Sequence, residues 1–292
     1  NAAQAMVQAA LSPSPSTEWH PNAGWLNEAA DWVLSAMEER RSTWQIWHVR
    51  AEAQRYIRSA NVPTVQANRL LDLLVDEVLK RRSISLARPD TVVEPKALQR
   101  LDGASVYTVA GAEPFTSRTI LAAEQRMIAA AERRDGHTIT TAAVDVALLE
   151  ATANNVMLNA GQAALVRDMA TSGARLQLAI APAGAGKTTA LQVLAAAWRH
   201  GGGTIIGLAP SAAAAALLRE QINTHTETLA KLTTALQHRQ LPDWVADIGP
   251  STLVVIDEAG MADTLSLDAA VKHVVDRGGS VRLIGEIGRA HV

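Results

Sequence analysis

Apolar residues recur at helical spacing in three stretches near the start of the chain. Residues 25–41 place Leu26, Ala29, Ala30, Val33 and Met37 on one side of a predicted helix. Ser42 and Thr43 then offer an N-cap. A second helix is expected over residues 44–58, with Trp44, Trp47, Ala51 and Ile57 toward one side. Pro63 and Thr64 interrupt the pattern. Residues 66–80 predict a third helix with Leu70, Leu71, Leu74, Val75 and Val78 apolar. Lys80, Arg81 and Arg82 fall in its last turn, where cations suit the helix dipole. Residues 92–93 and 105–109 read as short strands. Three short helices followed by strands suit a winged-helix module over residues 25–110. A longer helix is expected from Ser117 and Arg118 through residue 131, with Gly136 as its C′ stop. A further helix covers residues 142–150. Residues 111–157 read as the connection to a second domain.

From residue 158 onward the pattern changes. Short apolar runs at 176–180, 204–209, 253–256 and 280–284 alternate with helical stretches at 189–198, 212–219, 226–238 and 265–275. Strands alternating with helices predict an α/β fold, a parallel sheet with helices on both faces. A ligand of such a sheet sits at the carboxyl ends of the strands.

Two of those strand ends carry chemistry. Residues 176–180 lead into Ala181-Pro182-Ala183-Gly184-Ala185-Gly186-Lys187-Thr188-Thr189, a phosphate loop with Ala181 where the pattern usually has its first glycine. Strand, Gly-rich turn and helix are the context this motif needs. Glycine lets successive N–H groups point inward around a phosphate, and the helix N-terminus adds partial positive charge. Lys187 would reach the terminal phosphates of ATP and Thr188 would ligate Mg²⁺. Ala183, Gly184, Ala185, Gly186 and Thr189 complete the cradle. The second site is Leu253-Val254-Val255-Ile256-Asp257-Glu258, an apolar strand ending in two carboxylates. There Asp257 would hold Mg²⁺ and Glu258 would polarise the attacking water. A chance Gly-rich turn would not bring that second half with it.

The chain has 292 residues, enough for about two domains. No run approaches ~18 apolar residues, so no membrane span is expected, and no signal peptide is legible. Cysteine is absent, which excludes disulfides and thiolate metal sites and fits a cytoplasmic protein. The net charge of −2 does not point to nucleic acid. Five of the seven tryptophans precede residue 50. They could stack on single-stranded bases, but their helical spacing favours a small core. The clusters Arg40-Arg41 and Lys80-Arg81-Arg82 could touch phosphate, though such clusters are more often simply solvated.

Leu158-Asn159-Ala160-Gly161-Gln162, Ala181 through Thr189, Leu208-Ala209-Pro210-Ser211, Ile256-Asp257-Glu258-Ala259-Gly260-Met261 and Leu283-Ile284-Gly285-Glu286 occur in that order. Together they resemble motifs of a superfamily 1 DNA helicase, and most resemble the RecD-like helicase part of TrwC/TraI-type conjugative relaxases. Ser42-Thr43-Trp44 with Trp47, and the segment from Ser117 to Glu124, add a softer similarity upstream. The resemblance implies a RecA-like P-loop NTPase domain over residues 158–286. It implies that Lys187, Thr188, Asp257 and Glu258 serve ATP hydrolysis with Mg²⁺ and that Gln162 contacts adenine. Pro210 and Ser211 would lie along single-stranded DNA, with the conjugation machinery as the parent protein's partner. Departures are Ala181, the break of the expected Gly-Asp-x-x-Gln at Glu286, and the lack of a second RecA-like lobe and of a relaxase His cluster with its Tyr. An AAA-type remodelling ATPase and a non-catalytic DNA-binding adaptor are the competing readings.

Residues 1–24 include Ser12-Pro13-Ser14-Pro15-Ser16 and read as a linker. Glu286 to Val292 can be written as GAG ATC GGA AGA GCA CAC GTC, which from its second base matches a short-read sequencing adapter. The expectation is that residues 287–292 are foreign to the natural gene and that the chain is truncated at both ends. As a fragment it would be at best a weak ATPase.

Overall fold

The computed structural model describes residues 24–87, 95–100, 105–106, 111–182, 184 and 186–286. The chain divides between Arg118 and Thr119 into two compact units. The expected linker apart from Gly24, the strand at 92–93, residues 107–109 and the suspected foreign tail at 287–292 lie outside the described residues.

The first unit holds three amphipathic helices, α1 (Trp25–Glu38), α2 (Ile46–Ser59) and α3 (Thr64–Glu77), the last running into a π-helical turn, Val78–Arg82. All five apolar positions expected on α3 and its extension are buried: Leu70, Leu71, Leu74, Val75 and Val78. On α1, Ala29, Ala30, Val33 and Met37 are buried as expected. α2 differs from its expectation. Trp44 is not in a helix but stands before it, exchanging both backbone hydrogen bonds with Phe115 at 2.9 and 2.8 Å. Its indole N–H donates to Ser83 Oγ at 3.1 Å, and the ring is 1% exposed. Ser42, expected as a cap, instead accepts from Thr116 Oγ1 through its carbonyl. With Trp44 out of the helix, the inward face of α2 becomes Val49, Ala53 and Ile57, while Trp47 and Ala51 turn outward.

Phe115–Thr116 (β2) pairs antiparallel with Ile84–Ser85 (β1). Ser105, expected in a strand, forms only an isolated bridge to Gln99. Trp25 and Trp32 flank Tyr56 at 5.8 and 5.3 Å between ring centroids, with Trp32 left 45% exposed. The basic clusters are paired within the unit: Lys80 with Asp76, Arg81 with Glu77, Arg82 with Asp31 and Glu77, and Arg40 with Glu52.

The second unit is built on a five-stranded, all-parallel sheet in the order β3-β7-β6-β4-β5. The strands are β3 (Leu176–Ala181), β4 (Thr204–Ala209), β5 (Thr226–Thr228), β6 (Thr252–Ile256) and β7 (Ser280–Glu286). Around it lie α4 (Arg118–Glu132), α5 (Thr141–Ala153), α6 (Ala160–Thr171), α7 (Lys187–His200), α8 (Ala212–Ile222), α9 (Leu229–His238), α10 (Asp243–Ala246) and α11 (Thr264–Asp276). Every residue of β6 is buried, as a central strand covered on both faces requires. Its side chains alternate between two cores. Leu253 and Val255 join one with α5, α6, α7 and α8, and Val254 and Ile256 join the other with α4, α9 and α11.

Several expectations change here. The stretch read as a connection packs into the second unit: Val144 and Ala147 of α5 belong to one core and Ala130 of α4 to the other. The first three residues of the helix expected at 226–238 form edge strand β5 instead, because Gly207 leaves room for Thr226 to close on β4 (an added Cβ would meet Thr226 Oγ1 at 2.7 Å). Gly136 is not a C′ residue. α4 ends at Glu132, and the Gly136 N–H bonds Gly173 O at 2.8 Å. There an added Cβ would meet Ser280 Oγ at 2.7 Å.

Arg282 on β7 is fully buried. Its guanidinium donates to Met169 O from Nε and Nη2 (3.0 and 2.7 Å), and from Nη1 to Ala174 O and Val281 O (2.9 and 3.0 Å). Met169 lies in the last turn of α6, so the cation sits at the negative end of that helix. Burial pushes the arginine pKa down to about 10, opposed by the Asp168 carboxylate. Arg282→Met should destabilise the unit by roughly 2–4 kcal/mol, because buried carbonyls at about 1–3 kcal/mol each lose their donors. Arg282→Lys should recover part of that loss, both read from urea denaturation.

His273 of α11 is held below its ordinary pKa mainly by burial, with Arg277 and Lys272 adding to the effect and the Val245 backbone and Asp276 opposing it. Its folded pKa is depressed, so below the unfolded value of 6.5 the unfolded chain binds more protons and stability falls with pH. Wild type should therefore lose more stability between about pH 7 and about pH 5 than His273→Gln does. Parallel pH slopes for the two proteins would remove His273 as the source.

Candidate nucleotide-binding site

β3 and β6 are not neighbours; β7 lies between them. Leu178 is level with Leu283, and Leu283 with Ile256. The phosphate loop that follows β3 and the carboxylates that follow β6 therefore emerge at the same carboxyl edge. The edge is where the open ends of a parallel sheet admit a ligand.

The loop is shaped by two glycines in the left-handed region, Gly184 at φ +73° and Gly186 at φ +74°. Gly186 is the N-cap of α7, which begins at Lys187. Lys187, Thr188 and Thr189 occupy the first turn and are each partly buried. Their backbone N–H groups belong to the unsatisfied set at a helix start, which is why this turn suits an anion. Ala183 and Ala185 lie outside the described residues. Ala181, in place of the usual glycine, is still the last residue of β3 and pairs with Glu286, so its side chain is compatible with the extended backbone there.

At the other strand end, Asp257 N–H continues the ladder to Leu208 O at 2.9 Å. Asp257 Oδ1 accepts from Glu258 N–H at 2.9 Å. Glu258 itself lies in the left-handed region, φ 50° and ψ 35°, and caps the 3₁₀ turn Ala259–Met261. A non-glycine residue there stores strain. It is held by the Asp257 bond before it and by buried Ala259 after it. Both carboxylate residues are partly buried.

Gln162 stands in the first turn of α6. It forms a capping box with Asn159: Gln162 N–H donates to Asn159 Oδ1 at 2.9 Å, and Asn159 N–H donates to Gln162 Oε1 at 2.8 Å. Gln162 Nε2 faces Gly186 O at 3.5 Å. Asn-x-x-Gln ahead of an apolar run is a legible capping signal, and sequence reasoning about Gln162 passed over it. Pro210 and Ser211 follow β4 at the same edge, and the Ser211 hydroxyl accepts from Ala214 N–H, capping α8 as expected. Thr228, missed by the sequence pattern, pairs with Ala209 beside them and caps α9 through Lys231 N–H.

The donor set fits a magnesium nucleotide. Gly184 has no atom within 4 Å of an added Cβ, leaving the loop open toward a ligand. Thr188 and Asp257 supply two hard oxygen donors of the kind Mg²⁺ takes alongside phosphate and water. Among the described residues no cluster of three or more His, Cys, Asp or Glu could hold a metal alone, so a cation here depends on the phosphates. Among the same residues no helix is long and apolar enough to cross a membrane.

Gly184→Ala should cost about 1–2 kcal/mol, the penalty of a left-handed non-glycine residue. Gly186→Ala should cost more, because its Cβ would also lie 2.1 Å from Gln162 Nε2. Equal effects in thermal and urea denaturation would show that the glutamine is not packed against the loop.

The family model described as AAA domain matches residues 157–288, the span that takes in both strand-end sites and α6. No curated protein matches the chain. The family match suggests an ATP-binding domain of ATPase or helicase type. Residues 157–288 thus carry an AAA domain match, and the sheet they build with its phosphate loop is that of a P-loop NTPase of RecA-like α/β fold.

Proposed function

We propose that the second unit binds and hydrolyses ATP and couples hydrolysis to movement on single-stranded DNA, as the helicase part of a conjugative relaxase. The observation that carries the ATPase part is the meeting of the Gly186–Lys187 helix start and the Asp257–Glu258 strand end at one sheet edge. Support for the DNA part is the motif resemblance, with Pro210 and Ser211 on the same edge.

In this reading Lys187 and the N–H groups of the first turn of α7 bind the β- and γ-phosphates and stabilise charge that builds on them during transfer. Thr188 and Asp257 hold Mg²⁺, which offsets phosphate charge when bound. Glu258 orients a water for in-line attack and takes its proton. The left-handed backbone at Glu258 fixes where that carboxylate starts from, immediately after the metal-side Asp257. Pro210, Ser211 and neighbouring Thr228 form the strand end along which DNA would run.

The 292-residue chain should bind ATP in a Mg²⁺-dependent way. Lys187→Ala should abolish that binding, whereas Glu258→Gln should bind with wild-type affinity and lose turnover by about 10²-fold or more. Calorimetry and a phosphate-release assay with and without single-stranded DNA read all three. Wild-type turnover in Glu258→Gln would remove Glu258 as the base. Hydrolysis indifferent to DNA would leave an ATPase and remove the translocase.

A further inference from the structure

The amide of Gln162 spans the starts of two helices, and its orientation is set by protein groups. On the α6 side, Oε1 accepts from Asn159 N–H at 2.8 Å within the capping box. That bond turns the nitrogen end toward the phosphate loop, where Nε2 faces Gly186 O at 3.5 Å. The same carbonyl accepts the first bond of α7, from Ala190 N–H at 3.2 Å. Gly186 lacks the Cβ that would lie 2.1 Å from Nε2, so the amide occupies the space the glycine leaves. The far end of α6 is equally fixed: Arg282 binds Met169 O with two N–H groups. α6 is thus tied to β7 at one end and to the phosphate loop at the other.

We infer that Gln162 is a positioning residue for the phosphate loop, setting the Gly186 carbonyl and the first turn of α7, and so acts on the triphosphate rather than on the base. The inference rests on the nucleotide-binding reading above and replaces the expectation that Gln162 reads an adenine edge. To read a base, the amide would have to leave the capping box that orients it. Gly186 has a positive φ and starts the helix carrying Lys187 and Thr188. A donor on its carbonyl therefore bears on every N–H that meets phosphate.

The test uses the 292-residue chain and its Gln162→Ala and Gln162→Glu variants, titrated with ATP and with inorganic tripolyphosphate, each with Mg²⁺. Gln162→Ala should weaken both ligands by the same factor, roughly 2- to 10-fold, as for one lost hydrogen bond. Gln162→Glu keeps an oxygen for Asn159 N–H but sets a carboxylate oxygen against Gly186 O. It should melt within about 2 °C of wild type and still lose affinity for both ligands at least as strongly as Gln162→Ala. A purely structural role for the glutamine would not separate melting from phosphate affinity in that way. A loss confined to ATP, ATP binding without measurable tripolyphosphate binding, or unchanged affinity in both variants would overturn the assignment. A folded wild-type chain that binds neither ligand would sink the nucleotide-binding reading, and this assignment with it.

Discussion

The parallel pairing of β3, β7 and β6 is the constraint on which the site depends. Parallel strands enter and leave the sheet at fixed ends, so every loop that follows a strand opens on one edge. β7 holds β3 and β6 one strand apart and in register, through Leu283 opposite both Leu178 and Ile256. That separation leaves a strand's width between the phosphate loop and the carboxylates, room in which a terminal phosphate and its metal can sit. The pairing is stabilised by burial rather than by charge: β6 is covered on both faces, and its alternate side chains fill two different cores.

The site is the least relaxed part of that frame. Gly184, Gly186 and Glu258 all take left-handed backbone, and two of the three are glycines, for which the conformation is cheap. Glu258 is the exception, and it sits where the proposed chemistry wants a carboxylate more than it wants an easy backbone. Rigid neighbours over-determine it: Asp257 in the ladder and Ala259 in the core. Around this edge the helices are anchored by polar contacts that carry no chemistry of their own. Arg282 closes the end of α6, Ser211 starts α8 and Thr228 starts α9.

The first unit shows a different balance. Its helices are held by an apolar core around Trp44, and its cations are occupied by acidic neighbours in the same unit. Exposed ion pairs of this kind contribute little to stability, but they lower the charge available to a phosphate backbone. Trp32 and Trp47 remain near half exposed, the part of the tryptophan set that core packing does not absorb.

The sequence by itself determined the alternation of strands and helices, the faces of α1 and α3, and both strand-end motifs. Each is local: period, glycine and charge act within one turn or one strand, and Leu70, Leu74 and Ile256 read the same in isolation as in the fold. Tertiary structure decided what depends on partners far along the chain. Trp44 left its helix because Phe115, far downstream, offered it both backbone hydrogen bonds. Thr226 to Thr228 became a strand because β4 presented an open edge beside Gly207. α4 and α5 joined the ATPase unit because their apolar faces found its two cores. The Gln162 amide turned to the phosphate loop because Asn159 and Gly186 meet it there. No spacing rule contains that meeting, since it depends on how α6 lies against α7.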